Sequence, residues 1–438
     1  MPNKQLSLKR LSIPIFSDLL SKYLSLIINT AMVSGYSNFL VGAMGAGNQI
    51  FDLFITIFCF LSVGCSVVVS QAIGAKNAVL AKKVIHQSLS LNAFLGFASG
   101  FLIIIFAKEL LLILKIPAEL INDGVIYLQM LGICLFFDSI GIVLAAIIRV
   151  YNHAYWVMFI GFLMDFIILV FNYYVLHFTK LELFGVGLSN ILGRIVVIVL
   201  LFLLLIFKLK IHLKFKELIS FEKNVLSKVL NVGGFSAGEN LLWIIQYTIA
   251  FAFVSSLGKE NLSVQTIYFQ LSLMIMLVGQ AISLANEIII GKLVGARYVN
   301  VAYKHTWKAL YFSILASAVV ALLNYVLQDF TMNFLDLEEE LRKLMIPLFT
   351  LSIFLEISRT FNVVIVNALR ASGDAKFPFF SGLVFMIGLS LPLGFVLCFY
   401  ANLGILGIWL GFCADEFLRG LVNSYRWKSK KWQDKTLV

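Results

Sequence analysis

The chemistry on offer in this sequence is a small set of acidic and basic side chains set inside long apolar runs. Glu356 and Arg359 stand three residues apart within one such run, so a helix would bring them to one face. An ionisable group near the centre of a bilayer costs at least about 2.5–3.5 kcal/mol on insertion scales and needs a partner, water or a function. The groups so placed are Asp18, Lys22, Asp52, Asp138, Asp165, Arg194, Glu239, Glu287, Glu356, Arg359, Asp415, Glu416 and Arg419. Asp18 with Lys22, and Glu416 with Arg419, have the spacing of pairs that neutralise each other on one helix. Asp52 and Glu287 fall toward the ends of their runs, within reach of water. Glu239 has Gly238, Asn240 and Gln246 nearby but no basic residue within a turn, and two readings stand for it: a carboxylate that takes part in proton coupling, or a structural acid satisfied by its surroundings. For Glu356 and Arg359 two readings stand: a neutral structural bridge, or a switch in which a proton or cation on Glu356 frees Arg359 to change partners. Asn362, one turn from Arg359, is the amide best placed to join them; Asn367, Gln246, Gln270 and Gln280 suit interhelical hydrogen bonds.

The elements that must position these groups are membrane spans. Of 438 residues, 61% are hydrophobic and only 13% charged, with a mean hydropathy of +0.96, far from the composition of ordinary globular domains. The net charge of +11 sits in short clusters between apolar runs, which reads as topology rather than nucleic-acid binding. The five cysteines lie in apolar runs and make no metal-type spacing with the five histidines. The start, MPNKQLSLKR, leads into an apolar run with no small-residue cleavage site, so that run is expected to stay as a first span. No nucleophile with a base, phosphate-binding glycine loop or metal constellation is present, which argues against an enzyme or a nucleotide-driven pump. No cofactor is expected beyond a coupling ion.

Twelve runs are long enough to cross a core of about 30 Å: 13–34, 46–73, 84–107, 120–148, 155–177, 184–207, 229–256, 263–290, 304–327, 342–369, 377–400 and 404–426. Alternating the loops between two sides collects Lys4, Lys9, Arg10, Lys76, Lys82, Lys83, Arg149, Arg370, Lys376 and the stretches 208–228, 292–308 and 426–435 on one side. Lys108, Lys115, Lys180, Lys259 and the acidic loop 336–340 fall on the other. Both termini are therefore expected in the cytoplasm. An internal repeat at an offset of 221 holds through three blocks: Asp18 aligns with Glu239, Gly74-Ala75-Lys76 with Gly295-Ala296-Arg297, and Arg149 and Gly161 with Arg370 and Gly382. Asp138 falls in register with Arg359, and equivalent positions can face each other across a pseudo-axis. Six spans per half make a parallel repeat, the all-α arrangement of transporters whose solute path lies between the halves. The expected domains are a six-helix lobe over 1–207, a basic linker at 208–228 lying on anionic headgroups, and a second lobe over 229–438 with a basic tail.

The chain resembles the multidrug and toxic compound extrusion (MATE) family over nearly its whole length. The matching pieces are Ser70 to Asn77, its echo Gly291 to Arg297, Ala368 to Asp374, Gly407-Ile408-Trp409 with Asp415 to Arg419, and the tail Arg426 to Trp432. The resemblance implies a monomeric secondary transporter of the plasma (inner) membrane that exports organic solutes, often cationic and amphipathic, against Na⁺ or H⁺. Its partners would be small-molecule substrates and membrane lipids, not nucleic acid. Glu239 matches a membrane glutamate that the NorM-like branch uses in cation coupling, whereas that branch's aspartate in span 10 is replaced here by Arg359. The DinF-like branch gathers acids from spans 1, 5 and 6; the matching positions here are Asn29, Ile168, Asn172 and Asn190, with Asp165 two turns before Asn172. Coupling is therefore expected in the second lobe. The competing readings are a lipid-linked oligosaccharide flippase of the same superfamily, which would need a basic cleft for pyrophosphate, and a receptor or channel-like scaffold, which would not need paired six-span repeats.

Overall fold

The computed structural model describes residues 7–114 and 117–438, so Lys4 and Lys115 of the charge pattern lie outside the described residues. The apolar runs form twelve long helices, and no strand occurs among the described residues. In the first half these are α1 (Leu8–Tyr36), α2 (Asn38–Gly74), α3 (Ala78–Ile113), α4 (Ala118–Val150), α5 (Ala154–Phe178) and α6 (Glu182–Lys208). In the second they are α7 (Lys223–Ser255), α8 (Lys259–Gly295), α9 (Val299–Val326), α10 (Glu339–Ser372), α11 (Lys376–Tyr400) and α12 (Ile405–Lys428). Eleven are long and apolar enough to cross a membrane. The remaining one, α12, has the length but carries Asp415, Glu416 and Arg419 at its centre. The protein is thus an all-α, multi-pass membrane protein with a duplicated six-helix plan. The helices outrun the apolar stretches: α2 has 37 residues, roughly 55 Å at 1.5 Å per residue, so its ends stand clear of the hydrocarbon.

The duplication shows in backbone detail. Left-handed residues close α2 and α8 at Lys76 (φ 58) and Arg297 (φ 60), and close α4 and α10 at Asn152 (φ 67) and Gly373 (φ 98). At the second pair the hydrogen bonds also repeat, Asn152 N–H to Arg149 and His153 N–H to Ile148 answering Gly373 N–H to Arg370 and Asp374 N–H to Leu369. These bonds satisfy the last carbonyls of each helix, as a left-handed cap does. Side chains obey the same register. Ser62 donates to the Ile142 carbonyl and Ser283 to the Val363 carbonyl; Gly96 lies against Ser139 where Ser317 is hydrogen-bonded to Thr360 at 2.7 Å.

Packing is likewise doubled: α4 packs on α3 and α6, and α10 on α9 and α12, with α6 against α5 and α12 against α11. Each half has its own apolar core, one around Met44, Phe58, Tyr127 and Leu131, the other around Tyr268, Phe349, Trp409 and Phe412. Two compact units result. One holds Ile13–Val69 and Asn77–Gly233; the other holds Gly234–Val438 with Ser70–Lys76 and the described residues up to Ser12. Helix α2 therefore changes unit at Val69/Ser70, and its last turn meets α8 backbone to backbone. A Cβ on Gly74 would strike the Lys292 carbonyl and one on Gly295 the Gln71 carbonyl, so glycine is required at both. The stretch after α6 is held to α3: the buried His86 Nε2 accepts the Lys214 N–H at 3.2 Å, and Lys83 pairs with Glu222 at 2.7 Å. The C-terminal tail folds back, stacking Trp432 on Trp427 at 4.1 Å and placing Leu437 N–H 2.9 Å from Gln71 Oε1. Gln71 in turn donates to the Ala371 carbonyl at 2.7 Å.

Candidate functional site

The expected pair in α10 is present: Arg359 Nη1 lies 2.8 Å from Glu356 Oε1, both side chains almost wholly buried. Ser272 of α8 completes a triangle, donating to Glu356 Oε1 at 2.5 Å and accepting from Arg359 at 2.8 Å. Glu356 Oε2 has no hydrogen-bond partner among the described residues. On its other side Arg359 Nε faces Glu416 Oε1 of α12 at 3.9 Å, and Asn362 donates to Glu416 Oε2 at 2.8 Å. Asn362 itself accepts from Asn423, whose own carbonyl accepts from Ser381. Within α12, Arg419 pairs with Glu416 at 3.0 Å and with Asp415 at 3.1 Å, while Gln246 of α7 reaches Asp415 at 3.3 Å.

Glu239 takes its charged partners from other helices. No basic residue adjoins it along α7, but α10 and α12 each deliver one: Arg370 Nη2 at 2.7 Å and Arg419 Nη1 at 3.5 Å. It is an acid between two guanidiniums rather than an unneutralised carboxylate. Glu239, Glu356, Asp415 and Glu416 with Arg359, Arg370 and Arg419 thus form one buried chain of ion pairs across α7, α10 and α12. Four carboxylates against three guanidiniums leave one negative charge in excess. Glu287 also departs from its expected wet position, being 3% exposed, with no hydrogen-bond partner for Oε2 among the described residues.

In the first half Asp18 pairs with Lys22 at 3.2 Å as the spacing suggested, yet its shorter bond is to Arg149 of α4 at 2.5 Å. Asp18–Arg149 and Glu239–Arg370 are the same bond one repeat apart, each spanning 131 residues. Both acids also lie on a glycine of the fifth helix of their half, Gly161 for Asp18 and Gly382 for Glu239. Asp138 has its partner in its own half: Arg194 of α6 at 2.6 Å, which also donates to Asn190 Oδ1 at 2.7 Å. The repeat here inverts sign. An acid on α4 facing a base on α6 is answered by Arg359 on α10 facing Glu416 on α12. Asn172 donates to Asn29 Oδ1 at 2.6 Å, a neutral bond between α5 and α1. Asp165 accepts from Ser21 of α1 at 2.5 Å. Among the described residues no His, Cys, Asp and Glu cluster suited to a metal occurs.

Sequence spacing missed Arg194, Arg370, Ser272 and Asn423 as members of these clusters. The one signal available for Arg370 was that its distance from Glu239 equals that of Arg149 from Asp18.

Comparison with known proteins agrees with this architecture. The MatE family model matches twice, over residues 14–174 and 236–396, one match per half. An uncharacterised transporter, YisQ of Bacillus subtilis, is 29% identical across 100% of this chain and 97% of its own. A probable multidrug resistance protein, NorM of Thermotoga maritima, is 22% identical across 100% of this chain and 95% of its own. Among solved structures, a MOP superfamily transporter from Pyrococcus furiosus superposes with a TM-score of 0.90 at 18% identity, covering 98% of this chain and 96% of that one, which speaks to the fold. With a family match in each half, over helices whose caps and several hydrogen bonds repeat, the chain belongs to the MatE family of multidrug and toxic compound extrusion transporters.

Proposed function

We propose that this transporter exports organic, cationic or amphipathic compounds by proton antiport across the plasma membrane, with both termini in the cytoplasm and the proton carried on the second-half network. The observation that carries the reading is the buried ion-pair chain with its one excess carboxylate. Every acid in it lies within 3.9 Å of a guanidinium. A Na⁺ ion would have to share its oxygens with those cations, whereas a proton added to Glu356 removes a charge and loosens Arg359 from it. Arg359 already has Glu416 as its second partner, so the pair has two arrangements available. The relatives named as multidrug resistance proteins agree with export. A lipid-linked oligosaccharide flippase is the weaker alternative, because its pyrophosphate would meet an excess of carboxylate here.

The test is efflux from proteoliposomes under imposed pH or Na⁺ gradients. A pH gradient is expected to drive the wild type, and Glu356→Gln to lower gradient-driven efflux at least tenfold while efflux down a substrate gradient persists. Drive by Na⁺ alone, or an unchanged pH response in both Glu356→Gln and Glu239→Gln, would overturn it.

A further inference from the structure

Between α6 and α7 the chain folds back on the start of α3, where the short helical turn Phe215–Ile219 packs. His86 pins the contact: Nε2 accepts the Lys214 N–H, which leaves the ring proton on Nδ1, facing the Lys82 carbonyl at 2.7 Å. Together they border a cavity of about 270 Å³, to which α3 brings Lys82, Lys83 and Gln87 and the linker brings Glu217 and Glu222. Ligand pockets run from roughly 300 to 1,000 Å³, so this is room for a headgroup rather than for the bulky cargo of an exporter. Its charges do not all cancel within the chain. Lys83 and Glu222 pair at 2.7 Å, but Lys82 has no ion-pair partner among the described residues. Glu217 is held loosely, with Lys214 Nζ and the His86 ring each at 3.5 Å. Gln87 is 2% exposed, yet its Oε1 has no hydrogen-bond partner among the described residues. A buried acceptor in that state is a deficit that a ligand N–H removes. The span in α3 begins near residue 84, so the lysines stand where the helix leaves the hydrocarbon. The rim is apolar and open: Val79 is 67% exposed, and Phe221, between the lining residues Ser220 and Glu222, is 54% exposed.

We infer that this cavity binds the phosphoethanolamine headgroup of a membrane phospholipid, its phosphate on Lys82, its ammonium on Glu217 and Gln87 Oε1, and its acyl chains leaving past Val79 and Phe221. The groups left over in the cavity are one cation, one carboxylate and one buried acceptor, and a zwitterion with N–H donors answers all three. A primary ammonium has three such donors, enough for both oxygens it must reach. A choline headgroup carries the same charges but has no N–H to give Gln87. A purely anionic headgroup leaves Gln87 and Glu217 unserved and brings its charge beside two carboxylates. The linker's lysines taken alone suit anionic lipid, and Glu217 and Glu222 offset them on this face. An exposed apolar rim at headgroup depth points to a lipid rather than to a soluble phosphoethanolamine. All these residues belong to the compact unit of the first half and none to the second-half network, so the site goes beyond the export reading and stands or falls without it.

Native mass spectrometry of the full chain, delipidated in detergent and titrated with dioleoyl phosphatidylethanolamine, phosphatidylcholine or phosphatidylglycerol, decides it. The ethanolamine lipid is expected to bind at least tenfold more tightly than either of the others. Gln87→Leu and Glu217→Gln should each cut its advantage over the choline lipid at least threefold while leaving choline-lipid affinity unchanged. Gln87→Glu, which keeps the acceptor, should keep the advantage. Lys82→Gln, at an exposed position where folding is not at stake, should weaken both lipids alike. Equal affinities for the three lipids, tighter binding of the glycerol lipid, an undiminished advantage in both Gln87→Leu and Glu217→Gln, or no weakening in Lys82→Gln would overturn it. So would displacement of the lipid by water-soluble glycerophosphoethanolamine at the concentration at which whole lipid competes.

Discussion

At the scale of single residues, the sign inversion between Asp138–Arg194 and Arg359–Glu416 is open to direct experiment. The first half holds the acid on α4 and the second holds the base on α10, on the same scaffold. Either order is thus compatible with this helix packing. Removing one partner of the Asp138–Arg194 pair, its side chains 21% and 12% exposed, strands the other charge in a largely dry site. Asp138→Arg or Arg194→Asp alone should therefore lower the melting temperature in detergent sharply, and the double exchange should recover most of the loss. No recovery would mean that Asn190, which also holds Arg194, fixes the polarity. Glu239 invites a related measurement. Held by Arg370 and Arg419, it should resist replacement as a structural acid does, so Glu239→Gln is expected to lose stability as well as export, whereas Glu356→Gln, whose Arg359 retains Glu416, should lose export at a smaller cost in stability.

At the scale of elements, the crossing of α2 and α8 leaves no room for a side chain at Gly74 or Gly295. Gly74→Val and Gly295→Val should each destabilise the protein by several kcal/mol, since a carbonyl on rigid helix backbone is what must move. Thermal melts would show it; a shift within error would mean the helices part easily. The tail is a second element of this kind. Trp427 and Trp432 are fully buried and stacked, and the Trp432 indole N–H reaches the Trp427 carbonyl at 2.9 Å. Trp432→Ala should cost about 3–5 kcal/mol of that local structure and raise proteolysis beyond Ser429. What the sequence made legible divides along the same line. The spans and the Glu356–Arg359 pair were readable because each depends on spacing within one helix, and the repeat because its offset holds through three blocks. Arg370 on Glu239 and Arg194 on Asp138 were not, since they join helices 131 and 56 residues apart and depend on how helices pack. Glu287 was misread for a similar reason: nearness to a span end says nothing of what another helix lays over it.

For the whole molecule, the distribution of basic residues makes a topological forecast. In a Cys59→Ser background, which removes the one exposed thiol, Lys76→Cys should react with an impermeant maleimide only from the cytoplasmic side and Lys180→Cys only from the outside. Labelling of both from one side would refute the twelve-span plan. The inverted ion pairs carry a further implication, one of descent. A duplicated gene begins with two identical copies, and identical copies place the same charge at residue 138 and at residue 359. Opposite signs at these positions arise only once the two copies have changed independently. The two halves of this chain have therefore ceased to be interchangeable, and a protein built from its first half twice would lack the acid-rich centre that the second holds.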